Sequence, residues 1–374
     1  MSSPNYSLSN NKNPFSFQEK AAQQALDAVM QTGKAVVAIA CGGGKTTVSQ
    51  WIIKKYIQLN GSDAKILVIT ENSNALKNQY LAEIENAHIP IAFTCGEFAS
   101  KDPVQVRVGI AASLHKVPWR EIDLIICDES HRHFKKRRVQ AFLQSIKISH
   151  QILLTGTPAQ FIKEDESTSR MKVIGISGSF LQEKGLYAGV DLDVVKVVDK
   201  NDPKQSLDAF FAHALRVGAD LSKTLLVCPT IAFARSVAQE LNEKGSTVFL
   251  STSENDKDNQ ILISSKAWEK KKESDRCFLV TVGKCSLGYN DSAISCLADM
   301  RSSLGSLCTN QQIFARILRD SKPSKRKFYF RISNRDAKSY NRQVLMLHKL
   351  KSYMSSEIFL RYNGRNLKME LCRG

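Results

Sequence analysis

The run Cys41-Gly42-Gly43-Gly44-Lys45-Thr46 follows five apolar residues, Val36-Val37-Ala38-Ile39-Ala40, and sets a lysine and a threonine behind three glycines. Glycines let the backbone turn with its N–H groups inward, at dihedrals a side chain opposes. A lysine in that place reaches the β- and γ-phosphates of a nucleotide, and a threonine hydroxyl can ligand Mg2+. A helix starting here would add its N-terminal dipole to the same anion. The longer pattern G-x-x-x-x-G-K-T is incomplete, since Ile39 stands at its first glycine, but its core G-x-G-K-T runs from Gly42 to Thr46. Gly42, Gly43, Gly44, Lys45 and Thr46 are therefore candidates for binding ATP. The plain alternative is a glycine-rich turn beside a solubilising lysine; three glycines between a strand and a helix argue against it.

A second constellation, Leu124-Ile125-Ile126-Cys127-Asp128-Glu129-Ser130-His131, reads as an apolar strand ending in two carboxylates. Open parallel sheets hold their ligands at the C-terminal ends of the strands. Asp128 is suited to hold Mg2+ through its water shell, together with Thr46, and Glu129 to position or activate an attacking water. A third, Gln312-Ile313-Phe314-Ala315-Arg316-Ile317-Leu318-Arg319, places polar groups three or four residues apart, on one face of a helix. Arg316 stands inside an apolar run, where an unpaired charge is costly, and a planar guanidinium suits phosphate charge. A solvated basic stripe is the alternative, more so for Arg319 than for Arg316.

These groups need a scaffold that brings strand ends together. Short apolar segments at 65–70, 104–111, 122–127 and 151–154, separated by helical segments such as 75–86, predict a parallel α/β sheet with helices on its faces. A second α/β block follows Asn201-Asp202-Pro203: a helix over 204–217, a strand over 224–228, a helix over 232–244, and strands over 247–250 and 277–282. With 374 residues, two domains are expected: 1–200, 201–340, and a C-terminal segment, 341–374, of open role. That segment carries a helical candidate over 343–354 and is a possible docking point for a protein partner.

The 53 Lys+Arg against 36 Asp+Glu give a formal net charge of +17, which points to a polyanion, nucleic acid first. An anionic membrane surface is the competing reading, but no long basic amphipathic helix or lipidation signal supports it. The nine cysteines are scattered without a C-x-x-C, which predicts a reduced, cytoplasmic protein associated with nucleic acid. Neither a membrane span nor a secretory signal is read from the sequence.

With these motifs in place, the chain resembles the superfamily 2 helicases and translocases of the Asp-Glu-x-His kind, closest to compact DNA repair, restriction and phage-type helicases. Gly42 to Thr46 match motif I, Asp128-Glu129-Ser130-His131 motif II, and Thr155-Gly156-Thr157-Pro158 motif III. Phe17-Gln18-Glu19-Lys20-Ala21 looks like the upstream glutamine motif, Ile69-Thr70-Glu71 like motif Ia, and Ala111-Ala112-Ser113-Leu114 like a weak motif Ib. Val280-Thr281-Val282 through Gly288-Tyr289-Asn290 resembles motif V, and Gln312 to Arg319 motif VI with Ala315 in place of glycine.

The resemblance implies two tandem RecA-like domains with an ATP cleft between them and an ATP-dependent helicase or translocase, DNA favoured over RNA. It implies adenine recognition by Gln18, nucleotide contacts from Gly288 and Asn290, and phosphate-facing arginines at Arg316 and Arg319 beside Gln312. Coupling falls to His131, Thr155 and Thr157. Nucleic acid, single- or double-stranded, would meet Thr70, Ser113 and Thr281. The basic runs after motifs II and VI add Lys135, Lys136, Arg137 and Arg138, then Lys325 and Arg326, with Lys322, Lys327 and Arg331 nearby. Asn290 stands where motif V usually has aspartate and supplies no charge. Together with Ala315 it supports the rival reading, an ATP-driven switch or clamp, or a partner-dependent subunit, with little unwinding.

Overall fold

The computed structural model describes residues 15–70, 91–94, 105–156, 171–252, 276–282, 291, 293–301, 306–318, 326–353, 361–362, 365–366 and 369–371. In chain order these form α1 (Ser16–Thr32), β1 (Lys34–Ile39), α2 (Lys45–Asn60), β2 (Ile66–Thr70), β3 (Ile91–Phe93), β4 (Val106–Ile110) and β5 (Glu121–Cys127). Next come α3 (Ser130–His133), α4 (Arg137–Ser145), β6 (Lys147–Thr155), β7 (Lys172–Ile176), α5 (Gly178–Glu183), β8 (Val190–Val197), α6 (Pro203–Arg216), β9 (Lys223–Val227) and α7 (Ile231–Glu243). They are followed by β10 (Thr247–Ser251), β11 (Cys277–Thr281), β12 (Cys296–Asp299), α8 (Leu307–Leu318), β13 (Lys327–Asn334), α9 (Ala337–Tyr353), β14 (Arg361–Tyr362), β15 (Arg365–Asn366) and β16 (Met369–Leu371).

Two compact units result: Met1–Gly178 with Ser356–Gly374, and Ser179–Ser355. The first holds an eight-stranded sheet in the order β16-β7-β1-β6-β5-β2-β4-β3, every ladder parallel. Its central strands are apolar because both faces are covered: Val36, Val37, Leu67, Val68, Ile125, Ile126, Leu153 and Leu154 are all fully buried. The second holds a six-stranded parallel sheet, β10-β11-β9-β12-β13-β8. Phe210, Val237, Leu226, Phe278 and Phe330 belong to its core. Each unit is the expected parallel α/β layer, so the chain is a tandem of two RecA-like domains.

The division differs from 1–200, 201–340 and 341–374. β8 pairs along its whole length with β13, from Val190↔Lys327 to Val197↔Asn334, so it belongs to the second sheet although it precedes the Asn201-Asp202-Pro203 break. α9 packs on β8 and β13 in the same unit. Beyond it, β16 adds a parallel edge to β7 in the first sheet, in register Met369↔Val173. An apolar strand shows in sequence, but the sheet it joins is decided by long-range pairing.

Candidate nucleotide site

β1, β6 and β5 are consecutive neighbours in the first sheet, so their C-terminal ends bring together three segments far apart in the chain. β1 runs into the glycine loop, where Gly42 and Gly44 take φ of 95° and 88°, values that favour glycine. Gly44 is also the N-cap of α2, and no side-chain cap closes that helix's first turn. Asp202 and Thr230, by contrast, cap α6 and α7 with side-chain bonds. Helix N–H groups left without a side-chain cap, at the positive end of a dipole, form an anion site.

Immediately after β5 comes Asp128, buried, whose Oδ1 accepts the Glu129 N–H at 2.9 Å. Glu129 takes φ 46°, ψ 43°, the one positive φ outside glycine among the described residues. A carboxylate in the left-handed region is strained backbone, of the kind held at functional sites. The twist carries its side chain to Lys45, whose Nζ lies 3.2 Å from Glu129 Oε1. Burial alone would lower the Lys45 pKa, but the charges of Glu129 and Asp128 and the Cys41 side chain hold it above the usual lysine range.

The network continues to β6. His131 Nδ1 lies 3.0 Å from Thr155 Oγ1 and 3.6 Å from Glu129 Oε2, and Ser130 Oγ donates to the Leu154 carbonyl at 2.9 Å. Burial pushes His131 down to about 4, against the pull of Glu129, so the ring is neutral at pH 7. Gly156, just past β6, lies so close that a Cβ there would sit 2.7 Å from Cys41 Sγ and 3.1 Å from Lys45 Nζ. Any side chain at 156 would press on the lysine ammonium. Ser130 and Gly156 join the site although neither residue type announces a role in sequence; each stands inside a motif, but only the pairing of β5 with β6 shows what it touches.

Gln18, assigned to adenine, has its amide committed to the loop: Nε2 donates to the Gly43 carbonyl at 3.0 Å and Oε1 accepts the Phe15 N–H at 3.1 Å. A side-chain carbon at Gly44 would collide with that amide nitrogen. Thr46 follows Lys45 in the first turn of α2, largely buried, as is Asp128. These two oxygen donors match the chemistry of a hard divalent cation.

The proposed nucleic-acid contacts separate into exposed and buried sets. Lys135, Lys136, Arg137 and Arg138, at the start of α4, are all exposed. Thr70 and Thr281, the last residues of β2 and β11, are buried. Ser113 is buried too, with its hydroxyl 2.6 Å from Thr94 Oγ1. In this structure none of the three hydroxyls is presented to solvent. Arg326 is exposed but pairs with Asp191 immediately before β13, at the N-terminal edge of the second sheet, away from the strand ends that hold ligands. Lys327 and Arg331 are buried inside that unit and cannot line a surface. Within the described residues, Lys327 and Arg331 belong to β13 and both side chains are buried.

In the second unit α8 carries Gln312, buried, and Arg316, half-buried. Thr157, Gly288, Asn290, Arg319, Lys322 and Lys325 lie outside the described residues, as do residues 71–90 of motif Ia and its following helix.

Residues 11–160 match the family model described as type III restriction enzyme, res subunit. The uncharacterized ATP-dependent helicase YqhH of Bacillus subtilis (strain 168) is 28% identical over 154 residues, covering 39% of this chain and 27% of that protein. This chain thus matches about a quarter of that relative's length. Among solved structures, a fragment of a putative HsdR subunit of a type I restriction enzyme from Vibrio vulnificus YJ016 superposes with TM-score 0.64 at 18% identity, over 96% of this chain and 68% of that one. The ATP-dependent type ISP restriction-modification enzyme LlaBIII bound to DNA gives TM-score 0.69 at 14% identity, over 92% of this chain and 30% of that one. At these identities the structural likenesses establish the fold.

Proposed function

We propose that this chain, whose motifs and fold are those of the superfamily 2 helicases, is a nucleic-acid-dependent ATPase that uses hydrolysis to move along a phosphate backbone, DNA favoured over RNA. The observation that carries the reading is the convergence of the glycine loop, the acid pair and Thr155 at three adjacent strand ends, joined by Lys45, Glu129 and His131.

The glycine loop and the first turn of α2 would cradle the phosphates, with Lys45 on the terminal one. Thr46 and Asp128 would hold Mg2+, which when bound neutralises phosphate charge. A γ-phosphate competes with Glu129 for Lys45, so binding would release the carboxylate to orient the attacking water. Neutral His131 then senses the change through its contacts to Glu129 and Thr155. Arg316 and Arg319, with Gln312, would supply transition-state charge from the second RecA-like unit, while Gly288 and Asn290 add nucleotide contacts. The DNA-bound restriction enzyme with the same fold and the exposed cluster Lys135 to Arg138 support a nucleic-acid partner.

The test is ATP turnover with Mg2+, alone and with single-stranded DNA, duplex DNA, forked DNA and RNA. Turnover should rise at least tenfold with one of them. Glu129→Gln should cut it by two orders of magnitude or more, about 3 kcal/mol in barrier, while nucleotide affinity is retained. A Gln variant within twofold of the parent would remove Glu129 from the chemistry. Slow, unstimulated turnover with tight ATP-dependent binding would favour the switch reading.

A further inference from the structure

A buried ionic cluster sits in the second unit, on the side of the sheet facing α8. Asp299, the last residue of β12, is fully buried and takes a two-pronged contact from Arg301, Nε to Oδ1 at 2.8 Å and Nη2 to Oδ2 at 2.7 Å. Arg331 of β13, also fully buried, reaches the same Oδ2 with Nη1 at 3.1 Å, and Tyr329 donates its hydroxyl to it at 3.2 Å. Burial alone would raise the Asp299 pKa, but Arg331 and Arg301 hold it down to about 2. The carboxylate therefore stays charged.

Asn310, in the first turns of α8, closes the cluster. Its Oδ1 accepts from Arg301 Nη2 at 2.6 Å and from Arg331 Nη1 at 2.8 Å; its Nδ2 donates to the Ser306 carbonyl at 3.0 Å and to Met346 Sδ at 3.5 Å. The full hydrogen-bonding capacity of the amide is used.

Stability does not account for this arrangement. Two guanidinium groups share one carboxylate, leaving a net positive charge inside, and Arg331 Nε and Nη2 have no partner among the described residues. Apolar side chains of similar volume generally do as well or better. What an ionic cluster adds is direction: an amide gripped from three sides cannot roll. Phe314, four residues on, packs edge-on against Tyr329 and so shares the pinned face. At about 100° per residue, Gln312 lies roughly 200° around the helix from Asn310, and Arg316 near Gln312. Holding Asn310 to the sheet therefore sets where Gln312 and Arg316 point.

We propose that Asn310, gripped by Arg301 and Arg331 on Asp299, is a positioning residue that fixes the roll of α8 and so aims Gln312 and Arg316. The proposal rests on the ATPase reading above, in which those two residues serve the phosphates.

The experiment is a double-mutant cycle on nucleic-acid-stimulated ATP turnover, with kcat, KM for ATP and thermal melts measured in parallel. Asn310→Leu keeps the branched shape and removes the grip. It should lower kcat tenfold or more at unchanged KM, yet cost less than twofold when Arg316 is already alanine. Asn310→Asp keeps the acceptor oxygen for both arginines and should restore kcat to within about threefold. Should Asn310→Leu fail to fold, Arg301→Lys, which keeps the charge and loses the fork, takes its place in the cycle with the same expected non-additivity. Equal fold losses in both backgrounds, or a kcat loss that Asn310→Asp does not relieve, would overturn the proposal while leaving the ATPase reading intact. A parent chain without stimulated turnover would sink both.

Discussion

His131 and His133 stand behind the acid pair as neutral rings, and that neutrality has a consequence for pH. Burial first, then Lys45 and Arg132 for His131 and Lys136 for His133, push both down to about 4, with Glu129 opposing in each case. An unfolded chain would protonate them near 6.5. Above that pH neither state binds the proton and nothing is gained or lost. Between 6.5 and 4 the unfolded state takes up protons the folded state refuses, so stability falls as pH falls, by about 1.4 kcal/mol per pH unit for each ring. Urea unfolding at pH 7.5, 6 and 5 should show this decline, and His131→Gln should remove about half of it, leaving the share of His133, while keeping a hydrogen-bonding group opposite Thr155. Superimposable pH profiles for parent and variant would show that His131 is not held neutral. The identity of such residues was open to inspection in sequence, since Asp128-Glu129-Ser130-His131 is a recognisable string. Their neutrality was not, because it depends on what covers them.

At the scale of elements, the legible part is local chemistry. The glycine loop, the strand ending in two carboxylates and the helix of Gln312 and Arg316 all lie where the pattern of apolar and polar residues put them. Two features were hidden, both decided by pairing across long stretches of chain. β8 precedes the Asn201-Asp202-Pro203 break yet pairs with β13, and β16 lies in a segment whose sequence has no strong period, yet it adds to β7. β7 in turn touches the site: the Ala40 N–H donates to the Ile176 carbonyl at 3.0 Å, where β1 enters the glycine loop. β16 therefore covers an edge one strand removed from the phosphate loop. Removing residues 369–374 should expose the β7 edge, lower stability by about 1–3 kcal/mol for a short parallel ladder, and promote self-association. Differential scanning calorimetry with light scattering checks this, and an unchanged melt with a monodisperse sample would show that β16 contributes nothing in solution.

For the molecule as a whole, the net charge of +17 matters only in so far as it faces outward, and the structure removes several cations from that tally. Lys45 is paired with the partly buried Glu129, and the buried cations Lys223 and Arg331 are paired with Asp291, at 2.7 Å, and Asp299. The exposed cations include Lys135, Lys136, Arg137 and Arg138, four side chains in succession at the start of α4. A helix start is a poor place for four positive charges, because the dipole there favours anions. Contact with the proposed phosphate backbone would offset that cost. Each phosphate neutralised releases condensed counterions, giving a log–log salt slope of about −0.7 per contact on single strands. Binding to a single-stranded oligonucleotide should therefore fall steeply between about 50 and 200 mM salt, with a slope of several units. Replacing the four residues by glutamine should leave the melt unchanged, since they are exposed, and reduce the slope by about two to three units if all of them reach phosphates. Titrations at four salt concentrations with both proteins decide the matter. Equal slopes would place the track elsewhere on the surface, and a slope near zero in the parent would detach the positive charge from nucleic-acid binding altogether.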